Sequence, residues 1–135
     1  MSNLAKYKIL VVDDEPDTLE FISVMLEDNG ASVIRAVNGE EALEKAKSEM
    51  PDLITLDISM PGMDGSEVFE IMRGDPVLKK IPVCIISGKP ELRRLIYQRT
   101  VTPPEGYLDK PVNEKSLLMT VKKILSLSRN KRKDV

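Results

Sequence analysis

A chain of 135 residues, 41% hydrophobic and 31% charged, has the length and balance of one soluble globular domain with one core. A net charge of -2 argues against a general affinity for nucleic acid, and the absence of histidine excludes His-based catalysis and His metal ligation. Cys84 is the only cysteine, so no intramolecular disulfide can form, and no apolar run reaches the roughly 18 residues of a membrane-spanning helix. The N-terminus lacks the apolar core of a signal peptide, so a reducing, cytoplasmic setting is the expectation.

Strand and helix patterns alternate from end to end. Lys8-Ile9-Leu10-Val11-Val12 reads as a first strand that stops at Asp13-Asp14-Glu15, and Pro16 suits a first helical position. Leu19, Ile22, Met25 and Leu26 mark one face of helix one, and Asn29-Gly30 ends it. Ser32 to Ala36 is a short second strand. Asn38, with Glu41 three residues on, opens helix two as a capping box; Ala42, Leu43 and Ala46 lie on its buried side, and Met50-Pro51 stops it. Leu53-Ile54-Thr55-Leu56-Asp57 is an apolar third strand climbing to an aspartate, with Pro61, Gly62 and Gly65 breaking regular structure just beyond. Asp64 caps helix three, Val68, Phe69 and Met72 face inward, and Gly74 closes it. Val83-Cys84-Ile85-Ile86 is strand four, ending in Ser87-Gly88, with Cys84 a small buried hydrophobe. Pro90 opens helix four, with Leu92, Leu95 and Ile96 on one side, and Thr102-Pro103-Pro104 stops it. Gly106 to Asp109 is a short fifth strand before Lys110-Pro111. Asn113 caps helix five, whose Leu117, Leu118, Val121, Ile124 and Leu125 point inward. The basic run from Arg129 is expected to be a disordered, solvated tail over 129–135, leaving one domain over 1–128.

Five strands alternating with five helices predict an α/β fold, a doubly wound five-stranded parallel sheet of flavodoxin-like order 2-1-3-4-5. In that order the ends of strands one, three, four and five are neighbours about 4.8 Å apart. They carry Asp13 and Asp14, Asp57, Ser87, and Lys110 respectively. Taken singly, Asp57 could cap a turn, Asp13 and Asp14 a helix, Ser87 could be a turn residue, and Lys110 could extend to solvent. Jointly, polar residues ending four neighbouring core strands point to an active site. Crowded carboxylates repel, and a divalent cation offsets that repulsion. A hard Mg2+ site takes oxygen ligands: Asp14, Asp57 and a backbone carbonyl after Asp57, with Asp13 holding a bound water. A carboxylate between Mg2+ and a lysine is arranged to meet a phosphoryl group, with Ser87 and Lys110 sharing its oxygens.

Ile9-Leu10-Val11-Val12-Asp13-Asp14-Glu15-Pro16, Asp57-Ile58-Ser59-Met60-Pro61-Gly62-Met63-Asp64-Gly65, Ser87 and Tyr107-Leu108-Asp109-Lys110-Pro111 together resemble the receiver domain of a two-component response regulator, of the stand-alone CheY-like type. The resemblance runs from about Lys8 to about Leu127. It implies that Asp57 accepts phosphate from a sensor histidine kinase or a histidine phosphotransfer protein. It implies Mg2+ held by Asp13, Asp14, Asp57 and the carbonyl of Ser59, a phosphoryl group gripped by Lys110 and Ser87, and a switch pair of Ser87 and Tyr107. Such a protein is a signalling switch with slow self-dephosphorylation rather than an enzyme. It acts without an output domain on a downstream protein target that the sequence does not name, engages neither nucleic acid nor membrane, and leaves a homodimer open. The sequence departs from the family at Gly88, more often Ala, and at Val101-Thr102-Pro103-Pro104-Glu105-Gly106, which replaces the usual small-residue approach to strand five. Helix four is therefore expected to end early or be deformed.

Two other functions compete. A haloacid-dehalogenase-like phosphatase also uses Asp, Mg2+ and Lys, but carries Asp-x-Asp at strand one; here Glu15 stands two after Asp13, and no cap insertion is present. A receiver that binds partners without phosphorylation would not need the intact acids, Ser87 and Lys110.

Overall fold

Runs of β-branched and aliphatic residues bounded by turn formers produce the strands β1 (Lys8–Val12), β2 (Ser32–Ala36), β3 (Leu53–Asp57) and β4 (Val83–Ser87), and the short Gly-Tyr-Leu-Asp stretch forms β5 (Gly106–Asp109). The computed structural model describes residues 4–60, 62–89, 91–97 and 101–133, with backbone alone for Leu95 and 129–133. The sheet has the order β2-β1-β3-β4-β5, and every pairing is parallel. This is the predicted topology. β3 and β4 are buried at every position, as strands covered on both faces must be.

The helices are α1 (Pro16–Asp28), α2 (Gly39–Glu49), α3 (Gly65–Gly74), α4 (Glu91–Tyr97) and α5 (Glu114–Lys133). Strand residues alternate between two cores. Leu10, Val12, Ile54, Leu56, Val83 and Ile85 pack with Phe69 and Met72 of α3, Ala42 and Ala46 of α2, and Ile96 of α4. Ile9, Val11, Leu53, Cys84 and Ile86 pack with Leu19, Ile22 and Leu26 of α1 and Leu117, Val121 and Ile124 of α5.

Three predicted caps are present. Asn38 Oδ1 accepts from Glu41 N at 2.8 Å, Asp64 Oδ1 from Glu67 N at 3.0 Å, and Asn113 Oδ1 from Ser116 N at 2.8 Å. The Glu41 carboxylate turns to Lys45 Nζ at 2.7 Å, so the hydrogen bonds at Asn38 make half of a capping box. α3 ends at Gly74, after which Asp75 Oδ1 accepts from the backbone N–H groups of Val77 and Leu78 and starts an unpredicted 3-10 turn, Leu78–Lys80. Among the described residues α4 covers seven, Glu91–Tyr97. Pro90, expected to open it, and the Leu95 side chain lie outside the described residues. At the other end α5 is described to Lys133, so its backbone takes in part of the basic run that begins at Arg129. Arg and Lys are good helix formers, and cations favour a helix C-terminus.

Candidate functional site

The strand ends converge as the topology requires. One carboxylate oxygen from each of Asp13, Asp14 and Asp57 lies within 4.8 Å of the others. Asp13 is 1% exposed and Asp57 2%, while Asp14 is half-buried. Lys110 Nζ sits 3.0 Å from Asp13 Oδ2 and 3.5 Å from Asp57 Oδ1, with Glu15 farther out at 3.8 Å. Its backbone N–H donates to the Ser87 carbonyl at 2.8 Å, which ties the end of β5 to the end of β4. Lys110 therefore reaches inward between two buried carboxylates instead of extending to solvent.

The turn roles weighed for the aspartates are filled as well. Asp13 Oδ1 accepts from Glu15 N at 2.9 Å, and Asp57 Oδ1 from Ser59 N at 3.2 Å. These bonds orient the carboxylates through one oxygen of each, while Asp13 Oδ2 forms an ion pair with Lys110.

The electrostatics follow from burial and crowding. Burial, then the neighbouring Asp13 charge, push the Asp57 carboxyl up to about 6; Lys110 and the Ser59 N–H oppose this, and Asp14 adds to it. Burial pulls the Lys110 ammonium down, but contact with Asp13 and the charges of Asp57 and Glu15 outweigh it, and the net shift is upward. The site thus holds more negative charge than one lysine neutralises.

Oxygen donors on three carboxylates, two of them buried, suit a hard divalent cation. The three donor oxygens are near enough to one another for a single cation to meet all of them. Ser59 lies exposed in the loop after β3, two residues from Asp57.

Gly65 fixes that loop. Its N–H donates to the Ile58 carbonyl at 2.9 Å, and a Cβ there would collide with the Asp57 carbonyl oxygen and Ile58 Cα. The first turn of α3 can therefore lie directly on the backbone of the acidic strand end only with glycine.

Ser87 is fully buried at the end of β4. Its Oγ donates to the Lys89 carbonyl at 3.2 Å and accepts from Lys89 N at 3.0 Å. Tyr107 is the β5 neighbour of Ile85 and packs on the core shared by α2, α3 and α4. Its hydroxyl is buried without a hydrogen-bond partner, and the Arg93 guanidinium lies 4.6 Å from its ring centroid. A cleft of about 500 Å³ opens beside the site, lined by Ile58, Ser59, Met60, Asp64, Lys89 and Leu92 among others.

Sequence reasoning missed Glu15, Lys89, Arg93 and Arg73. Glu15 stands in the motif Ile9 to Pro16 but carries no assigned site role there. The others act through folded contacts that leave no local pattern.

The response regulator receiver domain model matches residues 9–122, a range that contains each of these strand ends. Protein PilH of Pseudomonas aeruginosa is 34% identical over 119 residues, covering 88% of this chain and 98% of that protein. The alkaline phosphatase synthesis transcriptional regulatory protein PhoP of Bacillus subtilis is 37% identical over 121 residues, covering 90% of this chain and 49% of that protein. The structure of chemotaxis protein CheY4 of Vibrio cholerae matches with a TM-score of 0.78 at 32% identity, covering 90% of this chain and 98% of that one. With its sheet order, its acidic strand ends and these likenesses together, the chain belongs to the response regulator receiver domain family of two-component signalling proteins.

Proposed function

We propose that Asp57 is the phosphoryl acceptor, and that the chain receives its phosphoryl group from a sensor histidine kinase or a histidine phosphotransfer protein. The observation that carries this reading is a buried carboxylate at the end of the central strand, flanked by Lys110 on one side and by Asp13 and Asp14 on the other. An Asp57 oxygen attacks phosphorus as the P–N bond to the donor imidazole breaks; the bonding pair leaves with the imidazole, which takes up a proton. Lys110 stays beside the acceptor and meets the charge on the transferring oxygens. Ser87 exchanges its local bonds to Lys89 for a phosphoryl oxygen. Mg2+, held by Asp13, Asp14, Asp57 and the Ser59 carbonyl, would supply charge neutralisation for the phosphoryl oxygens and for the crowded carboxylates. Slow hydrolysis of the acyl phosphate resets the switch.

On this reading the receiver unit is 1–128, and it acts through a protein target by the Ser87–Tyr107 pair rather than by turning over a substrate. A cytoplasmic setting suits the free, buried Cys84. The phosphatase alternative is not favoured: the residue two after Asp13 is Glu15 instead of Asp, and its side chain is exposed.

The test is phosphotransfer from a panel of autophosphorylated kinases and phosphotransfer proteins, with Mg2+, to wild type and Asp57→Asn. Transfer to the wild type and none to the variant is expected. Equal labelling of both would overturn the assignment of Asp57.

A further inference from the structure

Outside the acidic site, one buried charge has no part in the chemistry above. Arg73 stands near the C-terminal end of α3 with its side chain 3% exposed. Its Nε donates to the Thr102 carbonyl at 3.1 Å, Nη2 to the Pro103 carbonyl at 2.9 Å, and Nη1 to the Ile81 carbonyl at 3.4 Å. Nη2 also meets Glu105 Oε1 at 2.7 Å, and the guanidinium lies 4.8 Å from the Phe69 ring centroid. Glu105 Oε1 accepts in addition from Val83 N at 2.7 Å, while Glu105 N donates to the Val83 carbonyl at 3.0 Å. The segment 102–105 is thus fastened to α3 and to the start of β4. The planar fork of Arg is what lets one side chain hold several oxygens at once.

This fastening sets the entry to β5, and Tyr107 lies two residues beyond it. The Tyr107 hydroxyl is buried and unpartnered, a position that costs its hydration. Something must hold the ring there. Arg93 covers one face of the ring, and the fastened backbone fixes where β5 begins.

We propose that Arg73 and Glu105 are positioning residues: their clamp holds the start of β5 in the arrangement with Tyr107 turned inward, and thereby tightens the hold of the Asp57 site on a phosphoryl group. The coupling rests on the receiver reading, in which a phosphoryl group draws Ser87 toward itself and favours the same inward ring. Two devices that stabilise one arrangement reinforce each other by linkage.

The test compares wild type, Arg73→Lys and Glu105→Gln. Glu105→Gln keeps the shape and an acceptor oxygen, so it carries the test if Arg73 variants fail to fold. Two quantities are measured well below the thermal midpoint: amide hydrogen exchange over 101–108 without ligand, and affinity for beryllofluoride in saturating Mg2+. Both variants should exchange faster over 101–108 and bind beryllofluoride roughly fivefold more weakly, with Mg2+ affinity unchanged. A merely structural role lowers the thermal midpoint but leaves the affinity of the folded protein alone, so faster exchange with equal beryllofluoride affinity overturns the coupling. Unchanged exchange overturns the clamp itself. If the wild type does not bind beryllofluoride, the receiver chemistry and the coupling fall together, while the exchange result still decides whether the clamp exists.

Discussion

Asp57 meets opposing demands. As the proposed acceptor it must be ionised, yet burial and Asp13 raise its carboxyl from the ordinary 3.8 to about 6. The folded protein therefore binds this proton more tightly than the unfolded chain does. The resulting stability is fully present below about pH 4 and is lost as pH rises through about 6. In a metal chelator, wild type should lose on the order of 2 kcal/mol relative to Asp57→Asn between pH 4 and about 7. Urea titrations of both proteins across that range measure the difference, and parallel stability curves would contradict it. The strand-end identities that create this conflict were legible: Asp13, Asp57 and Ser87 each follow directly on an apolar run, Asp14 follows Asp13, and Lys110 follows the short strand that ends at Asp109. The bonds between Ser87 and Lys89 were not, because they depend on how the chain turns after β4.

At the scale of elements, the loop from β3 to α3 transmits the most constraint. Gly65 lies against the backbone of Asp57 and Ile58, where no side chain fits. Gly65→Ala should cost about 2 kcal/mol by forcing α3 away from β3. It should also slow phosphorylation, because Ser59 and Asp57 share that loop. Thermal unfolding together with the initial rate from a small phosphodonor measures both; a variant unchanged in both would show that the loop yields freely. Strands β1 to β4 were readable in their positions because each holds a short aliphatic run between turn formers, and Asn38, Asp64 and Asn113 were readable as caps because a cap acts on residues two or three positions away. The Arg73 clamp was invisible for the opposite reason: Thr102, Pro103 and Glu105 lie 29 to 32 residues away, Ile81 lies eight away, and most of these partners are backbone carbonyls, whose identity no sequence records. Pro103-Pro104 signalled that the approach to β5 is unusual but not what holds it.

For the whole molecule, strand order does the assembling. With the sequence β2-β1-β3-β4-β5, the acids of β1 and β3 become neighbours, and Ser87 and Lys110 arrive from the next two strands. α1 and α5 cover one face of the sheet and α2, α3 and α4 the other, which leaves the carboxyl ends of the strands as the open edge where ligands bind in such folds. The central claim is that this convergence makes one carboxylate, Asp57, a phosphoryl acceptor. Borohydride converts an aspartyl phosphate to homoserine, so the most direct measurement is to phosphorylate the protein with a small phosphodonor and Mg2+, reduce it, and locate homoserine by peptide mass spectrometry. Homoserine at position 57 alone is the predicted result. Homoserine at position 13 or 14, or none at position 57 in a phosphorylated sample, would contradict it.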